Sequence, residues 1–379
     1  MAAKTKKSGG MSVAWERKGS YPVLFAEDVF AEGNPAFADL LKELTGSQEP
    51  RVLMVADGNV VQRTEGLGAK IGRYVQAHGI RLAGAPVVIS GGEKVKADNL
   101  QSALRVVSAI LLAKLGRNDV VLALGGGTVL DVAGYAAAQV RGGVKIVRLP
   151  TTPAAMMDGA FATYAAVDSA TVKDALRVPS VPAAVVIDVT FAPTVLDGVW
   201  RGGIGEAIRQ AVAKDAALLK KLVKLTPAYR GRDMKAFAAV VEAVCASRQK
   251  KGGTDFALWV ASRLESMSGY KLPHGYAVSI AVAIGLGYAV ATGKVDAKDR
   301  QPVLELLTSC NALDGLNHSG HLLEQADNVL LGLDAWALSA GSTSLEVLAA
   351  LGKSASEPAP DREAFRTAFR ELLPASPKS

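Results

Sequence analysis

The residues of this chain best suited to chemistry sit where short apolar runs end. Gly125-Gly126-Gly127-Thr128 follows the run 119–124 and opens a stretch of helical character at 129–138. Glycines there let a backbone approach a ligand closely, and the free N–H groups at a helix start favour a phosphate. The spacing is not G-x-G-x-x-G, so the usual dinucleotide fingerprint is absent, and a glycine turn alone equally suits tight packing of a helix onto a sheet. Its neighbours tip that balance. Asp57-Gly58-Asn59, Gly91-Gly92-Glu93 and Pro150-Thr151-Thr152 also follow apolar runs. In an open parallel sheet such ends share the carboxyl edge, where α/β proteins take their ligands, so their convergence points to a nucleotide site.

Strands alternating with helices would position those ends. Val-, Ile- and Leu-rich runs at 51–56, 85–90, 119–124, 145–149 and 184–188 alternate with helical stretches at 59–78, 99–115 and 129–138. Continuous apolar strands separated by helices predict a parallel sheet covered on both faces. After about residue 197 long Ala-, Leu- and Lys-containing segments of helical period dominate, at 201–225, 234–248, 256–267, 277–291, 301–309, 322–331 and 361–373. The expected architecture is an α/β dinucleotide-binding domain over 1–197 and an all-helical domain over 198–379. The ends, 1–10 and 374–379, are expected to be mobile.

The 379 residues are 49% hydrophobic and 21% charged, enough apolar content for two or three packed domains and too much for a disordered chain. The net charge of +7 is dispersed among acids and not interleaved with aromatics, which argues against nucleic-acid binding and leaves anionic small molecules or a nucleotide phosphate as partners. Cys245 and Cys310 make neither a disulfide framework nor a C-x-x-C pair, a usage that suits a reducing, cytoplasmic setting. Lys4, Lys6 and Lys7 have no apolar core behind them, so the start does not read as a secretory signal. The longest apolar stretch, 277–292, is short for a membrane span and contains glycines, as a buried helix does, so no membrane is expected.

Seven segments together carry a family resemblance: Asp57-x-Asn59, SGGEKVK at 90–96, ALGGGTVLDVAGYAAA at 123–138, RLPTTPAAMMD at 148–158, VVIDVTFAPTV at 185–195, RGGIGEAI at 201–208 and LPHGYAV at 272–278. In this order and spacing the chain resembles, over nearly its whole length, the sugar-phosphate cyclase superfamily typified by 3-dehydroquinate synthase. The resemblance implies a Rossmann-like NAD-binding domain, a helical domain supplying most metal and substrate ligands, a cleft between them, and a homodimer. It also implies a chemistry: transient oxidation by NAD, elimination of phosphate, re-reduction and aldol ring closure, with zinc polarising the reacting oxygens. Asp57, Asn59, Glu93, Lys96, Gly126, Gly127, Asp131, Thr151, Thr152, Asp158 and Thr194 match the family's cofactor positions, and Lys173 and Arg209 match positions that serve catalysis.

The chemistry-bearing half departs from that pattern. Glu206 and His274 match two of three zinc ligands, but Leu258 stands where the middle histidine belongs, and leucine cannot coordinate a metal. Ser262 replaces a second histidine one turn later, and Tyr276 replaces the glutamate of H-G-E-A. Tyr164 replaces a phosphate-binding lysine, Asp174 an asparagine, Arg177 a glycine and Arg209 a lysine, while Leu338-Ser339-Ala340-Gly341-Ser342 lacks the acid and imidazole of the matching segment. A zinc or other divalent metal is therefore doubtful. The leading expectation is an NAD-binding cyclase-like protein whose zinc-dependent ring closure is altered or lost, acting, if at all, on an anionic sugar phosphate or a polyol. The alternatives are a non-catalytic partner of an active paralogue and an active synthase with an unusual metal site, for which Asp255 is the one candidate substitute ligand.

Overall fold

The expected apolar runs, with flanking additions, assemble into one parallel sheet. Its strands are Val23–Ala26 (β1), Arg51–Asp57 (β2), Arg81–Leu82 (β3), Val87–Ile89 (β4), Val120–Gly125 (β5) and Lys145–Pro150 (β6). Tyr164–Val167 (β7) and Leu176–Pro179 (β8) form a separate antiparallel hairpin before the last sheet strand, Ala184–Asp188 (β9). The order across the sheet is β1-β9-β6-β5-β2-β3, with β4 also paired to β2. The chain thus works outward from β2 to β3 and β4, then crosses back to β5, and an open α/β sheet forms its ligand crevice at such a reversal. This computed structural model describes residues 19–169 and 172–373, so the terminal stretches 1–10 and 374–379 lie outside the described residues.

The β7–β8 hairpin is held by Arg148, a fully buried residue on β6. Its guanidinium donates to the carbonyl oxygens of Ala160 (3.2 Å), Ala162, Tyr164 (3.2 Å) and Ser180 (2.9 Å). A buried cation without a carboxylate partner needs its donors matched in this way, and both terminal nitrogens are, leaving Nε as the unpaired donor among the described residues. The loop after β6 and the hairpin are thereby pinned over the sheet's carboxyl edge.

Two expected helices divide. The stretch 59–78 breaks into Gly58–Arg63 and Leu67–Ala77 around Gly66, whose φ of 67° is a left-handed conformation that glycine adopts freely. The segment 201–225 breaks at Asp215, which ends Asp197–Lys214 and caps Ala216–Arg230 by accepting from the N–H groups of Ala217 and Leu218. The region beyond residue 197 is mostly rather than wholly helical. Leu345–Ala350 (β10) and Lys353–Glu357 (β11) pair as an antiparallel hairpin, with Leu345 and Val347 turned inward either side of Glu346. That period of two was hidden in an Ala- and Leu-rich context.

The helix His274–Ala291 has 18 residues and a mean hydropathy of 1.5, long and apolar enough to cross a membrane by length and composition, but 72% of it is buried inside the protein. It packs against Asp197–Lys214 and Arg362–Leu372. The crossing with Asp197–Lys214 is backbone to backbone: a Cβ added to Gly202 would lie 2.8 Å from the carbonyl carbon of Gly275. That contact places Glu206, one turn on from Gly202, beside His274.

Candidate functional site

A cavity of about 500 Å³ opens between the sheet's carboxyl edge and the helical region. All eleven positions matched to cofactor binding line it: Asp57, Asn59, Glu93, Lys96, Gly126, Gly127, Asp131, Thr151, Thr152, Asp158 and Thr194. The opposite wall includes Leu258, Ser262 and the segment 270–275. The volume falls in the range of small-molecule and cofactor sites.

The strand-end wall keeps polar groups unspent. Asp57 ends β2 and caps the next helix, its Oδ1 accepting from the Asn59 N–H at 2.8 Å. Gly91 fits against it only because it has no side chain, since a Cβ there would lie 2.5 Å from Asp57 Oδ2. Gly126 begins the 13-residue helix Gly127–Gln139 with no side-chain cap, and a Cβ on it would lie 3.0 Å from Thr152 Cγ2. The helix start is therefore bare toward the cavity. Thr151 Oγ1, beside it, is buried without a hydrogen-bond partner among the described residues. An uncapped helix start and an orphaned buried hydroxyl at the crevice of a parallel sheet are groups that a nucleotide's phosphates and hydroxyls would satisfy. These residues fit a dinucleotide.

On the helical wall, the donors expected to hold a metal are bound to other side chains. Arg209 Nε donates to Glu206 Oε2 at 2.8 Å, and the same guanidinium reaches Asp158 at 2.9 Å and the Thr254 carbonyl oxygen. Glu206 Oε1 faces His274 Nε2 at 3.1 Å, and Glu265 Oε1 faces His274 Nδ1 at 3.0 Å. Burial alone would lower the His274 pKa, but the flanking carboxylates, Glu265 above all, push it up to about 10. Burial would raise Glu206, and the Arg209 guanidinium instead holds it down at about 2.

Glu206 and Arg209 lie behind the cavity wall, and of this group His274 reaches the cavity itself. Leu258 and Ser262 line the cavity, whereas Tyr276 turns its ring toward Gly198 and its Cβ toward Gly315, and Asp255 is not part of the lining. Among the described residues no three His, Cys, Asp or Glu groups converge as a metal site. The geometric reason is that the imidazole separates its two carboxylates, one at each ring nitrogen. Zinc needs three protein donors and an open position, and this donor set does not fit it.

Between the two walls runs a buried chain of ion pairs. Lys173, carried before β8, donates to Glu265 Oε2 at 2.6 Å and lies 3.3 Å from Glu93. Lys96 lies 2.8 Å from Asp131, 2.8 Å from Asp174 and 3.6 Å from Asp168. Burial would lower the Lys96 pKa, and Asp131 and Asp174 reverse this, holding it well above its usual value. Asp158, at the end of the helix after β6, accepts from both Arg209 and Arg248 of the helical region, the latter at 2.5 Å. Glu265, Arg248 and Arg148 were not singled out as site residues from the sequence. Glu265 pairs across 92 residues with Lys173, a long-range contact with no local signature.

Residues 86–200 match the sequence family described as 3-dehydroquinate synthase N-terminal. The chain is 29% identical over 253 residues to the 3-dehydroquinate synthase of Gloeobacter violaceus, covering 64% of this chain and 68% of that protein. It is 32% identical over 203 residues to the enzyme of Pyrobaculum islandicum, covering 51% and 58%, so a substantial part of that relative's own length lies outside the match. Its fold superposes on ValA, a 2-epi-5-epi-valiolone synthase from Streptomyces hygroscopicus subsp. jinggangensis solved with NAD+ and Zn2+, with a TM-score of 0.79 at 22% identity over 96% of this chain and 99% of that one. A 2-deoxy-scyllo-inosose synthase complexed with carbaglucose-6-phosphate, NAD+ and Co2+ superposes with a TM-score of 0.70 at 17% identity, covering 92% and 96%. Residues 86–200 thus carry the sequence pattern of the 3-dehydroquinate synthase N-terminal family, and the chain as a whole has the fold of these synthases.

Proposed function

We infer that this chain is an NAD-binding member of the superfamily in which zinc-dependent cyclisation of a sugar phosphate has been lost. The observation that carries the reading is the helical wall, where Arg209 grips Glu206, a carboxylate faces each nitrogen of His274, and Leu258, which matches the third ligand in sequence, lines the cavity. The retained cofactor positions support the other half of it. The bare helix start at Gly126–Gly127 would bind the dinucleotide's phosphates, Asp57 and Asn59 would meet its adenosine side, and Thr151 would donate its free hydroxyl. Bound NAD would supply a hydride acceptor. Lys173 and His274 are lining groups able to hold a proton against a substrate oxygen, each oriented by Glu265. The helix beginning at Asp197 supports a division into lobes at 197/198.

Assay of the purified protein for bound zinc and bound nicotinamide tests this. NAD without zinc is the expected result. Zinc at one ion per chain would favour an active synthase with an unorthodox metal site, and the absence of both would favour a non-catalytic partner protein.

A further inference from the structure

The cations in the cavity wall and just behind it are already paired. Lys96 faces three carboxylates within 3.6 Å, Lys173 two within 3.3 Å, and Arg209 two within 2.9 Å. Arg248 is held by Asp158, and Arg177, whose guanidinium lies 4.7 Å from the ring centre of Tyr164, is paired to Asp174 at 3.3 Å. A phosphate dianion entering here would have to detach one of these cations and leave a buried carboxylate uncompensated, which is the expensive way to break a buried pair. Among the described residues, the two lining cations that meet no carboxylate are Arg63 and Lys271, both exposed. Solvent-exposed single charges give little binding energy.

Neutral hydrogen-bonding groups remain free in the same cavity. Tyr164 and Ser262 line it, and their hydroxyls have no hydrogen-bond partner among the described residues. Tyr164 occupies the position at which the resembled family carries its phosphate-binding lysine. A phenol can donate to and accept from a hydroxyl or carbonyl, but it brings no charge to a phosphate.

We propose that the part of the cavity lined by Lys96, Lys173, Tyr164 and Ser262 takes an uncharged polyol or hydroxyketone and discriminates against the phosphate ester of the same compound. This rests on the NAD-binding reading above, because the polyol is taken to bind beside the dinucleotide. Specificity comes from self-neutralised cations and unoccupied hydroxyls together: the wall offers a neutral ligand hydrogen bonds and a phosphate no counter-charge.

The test uses the full chain saturated with NAD+, with NAD+ affinity measured first and separately by titration calorimetry. Glucitol and myo-inositol are then each titrated against their own monophosphates. At least one neutral compound is expected to bind at least tenfold more tightly than its phosphate. Asp174→Asn, which releases one of the carboxylates on Lys96, is expected to narrow that ratio at least tenfold by strengthening phosphate binding. A phosphate binding as tightly as its parent polyol, binding of neither class to NAD+-loaded protein, or an unchanged ratio in the variant would each overturn the proposal while leaving the NAD reading standing. Failure of NAD+ itself to bind would overturn both.

Discussion

Among the described residues Thr151 keeps a buried hydroxyl without a partner and Gly126 leaves a helix start bare, whereas on the helical wall Glu206, His274 and Glu265 are each occupied by another side chain. The two walls belong to one cavity but differ in completeness. Open polar groups at the edge of a sheet are costly unless something fills them, so they mark a wall built around a ligand. Closed ion pairs need nothing further. A wall can thus lose a ligand without losing its charges, provided that new partners appear for each charge left behind. Under the proposed function, Arg209 and Glu265 would play that part here.

The strongest way to break this comparison is to remove a partner from the closed wall. Arg209→Met leaves the buried Glu206 carboxylate facing only His274, and the fold is expected to lose about 3–5 kcal/mol, read from denaturant midpoints. A loss below about 1 kcal/mol would mean that the guanidinium is incidental.

Acid titration examines the link between the walls. Burial would raise the Glu93 pKa, but Lys173 and Lys96 lower it from 4.5 to about 2 in the folded protein. A depressed carboxylate stabilises the fold fully above its unfolded pKa and loses that contribution as pH falls through the folded value. Stability is therefore expected to fall by up to about 3 kcal/mol between pH 4.5 and 2, and Glu93→Gln should flatten that limb. Asp168 runs the other way, pushed up to about 6 by burial against the pull of Lys96, so it favours the folded state as it protonates and offsets part of the loss. Identical acid limbs for wild type and Glu93→Gln would remove Glu93 from the account.

For the open wall, Gly126→Val is expected to weaken NAD+ at least tenfold, about 1.4 kcal/mol, because the new side chain meets Thr152 and covers the helix start. The backbone there, at φ −72°, accepts any L-residue, so thermal stability should change little, and calorimetry beside a melting curve separates the two effects.

A subtler measurement sharpens the contrast. Leu258→His alone should recover weak zinc binding, since Arg209 still grips Glu206. Adding Arg209→Lys, which presents a single nitrogen, is expected to raise zinc affinity about tenfold further in chelator competition, or about 1.4 kcal/mol. Full affinity from Leu258→His alone would show that the ion pairs offer no resistance.

The sequence carried the open wall well because its signals are local. Glycine, aspartate and threonine at strand ends do their work within a few residues of where they stand, and the Val- and Ile-rich runs of β2, β5, β6 and β9 locate those ends. Short edge elements were not legible: β1 has four residues and β3 two, too few for a periodicity. The closed wall was half legible. The missing imidazole at Leu258 could be read from the family pattern, but its consequences could not, because Arg209–Asp158, Lys173–Glu265 and His274–Glu265 are side-chain pairings set by how helices cross. Tyr276 illustrates the same limit: its change of type suggested a lost site residue, while the folded chain turns it toward Gly198 and Gly315.

Where Gly202 meets Gly275, two helices touch without side chains between them, and the separation of Glu206 from His274 is inherited from that contact. A designer wishing to install an ion would receive the spacing ready-made and need only change the side chains around it, whereas a methyl group added at either glycine would wedge the helices apart and erase the geometry at its source.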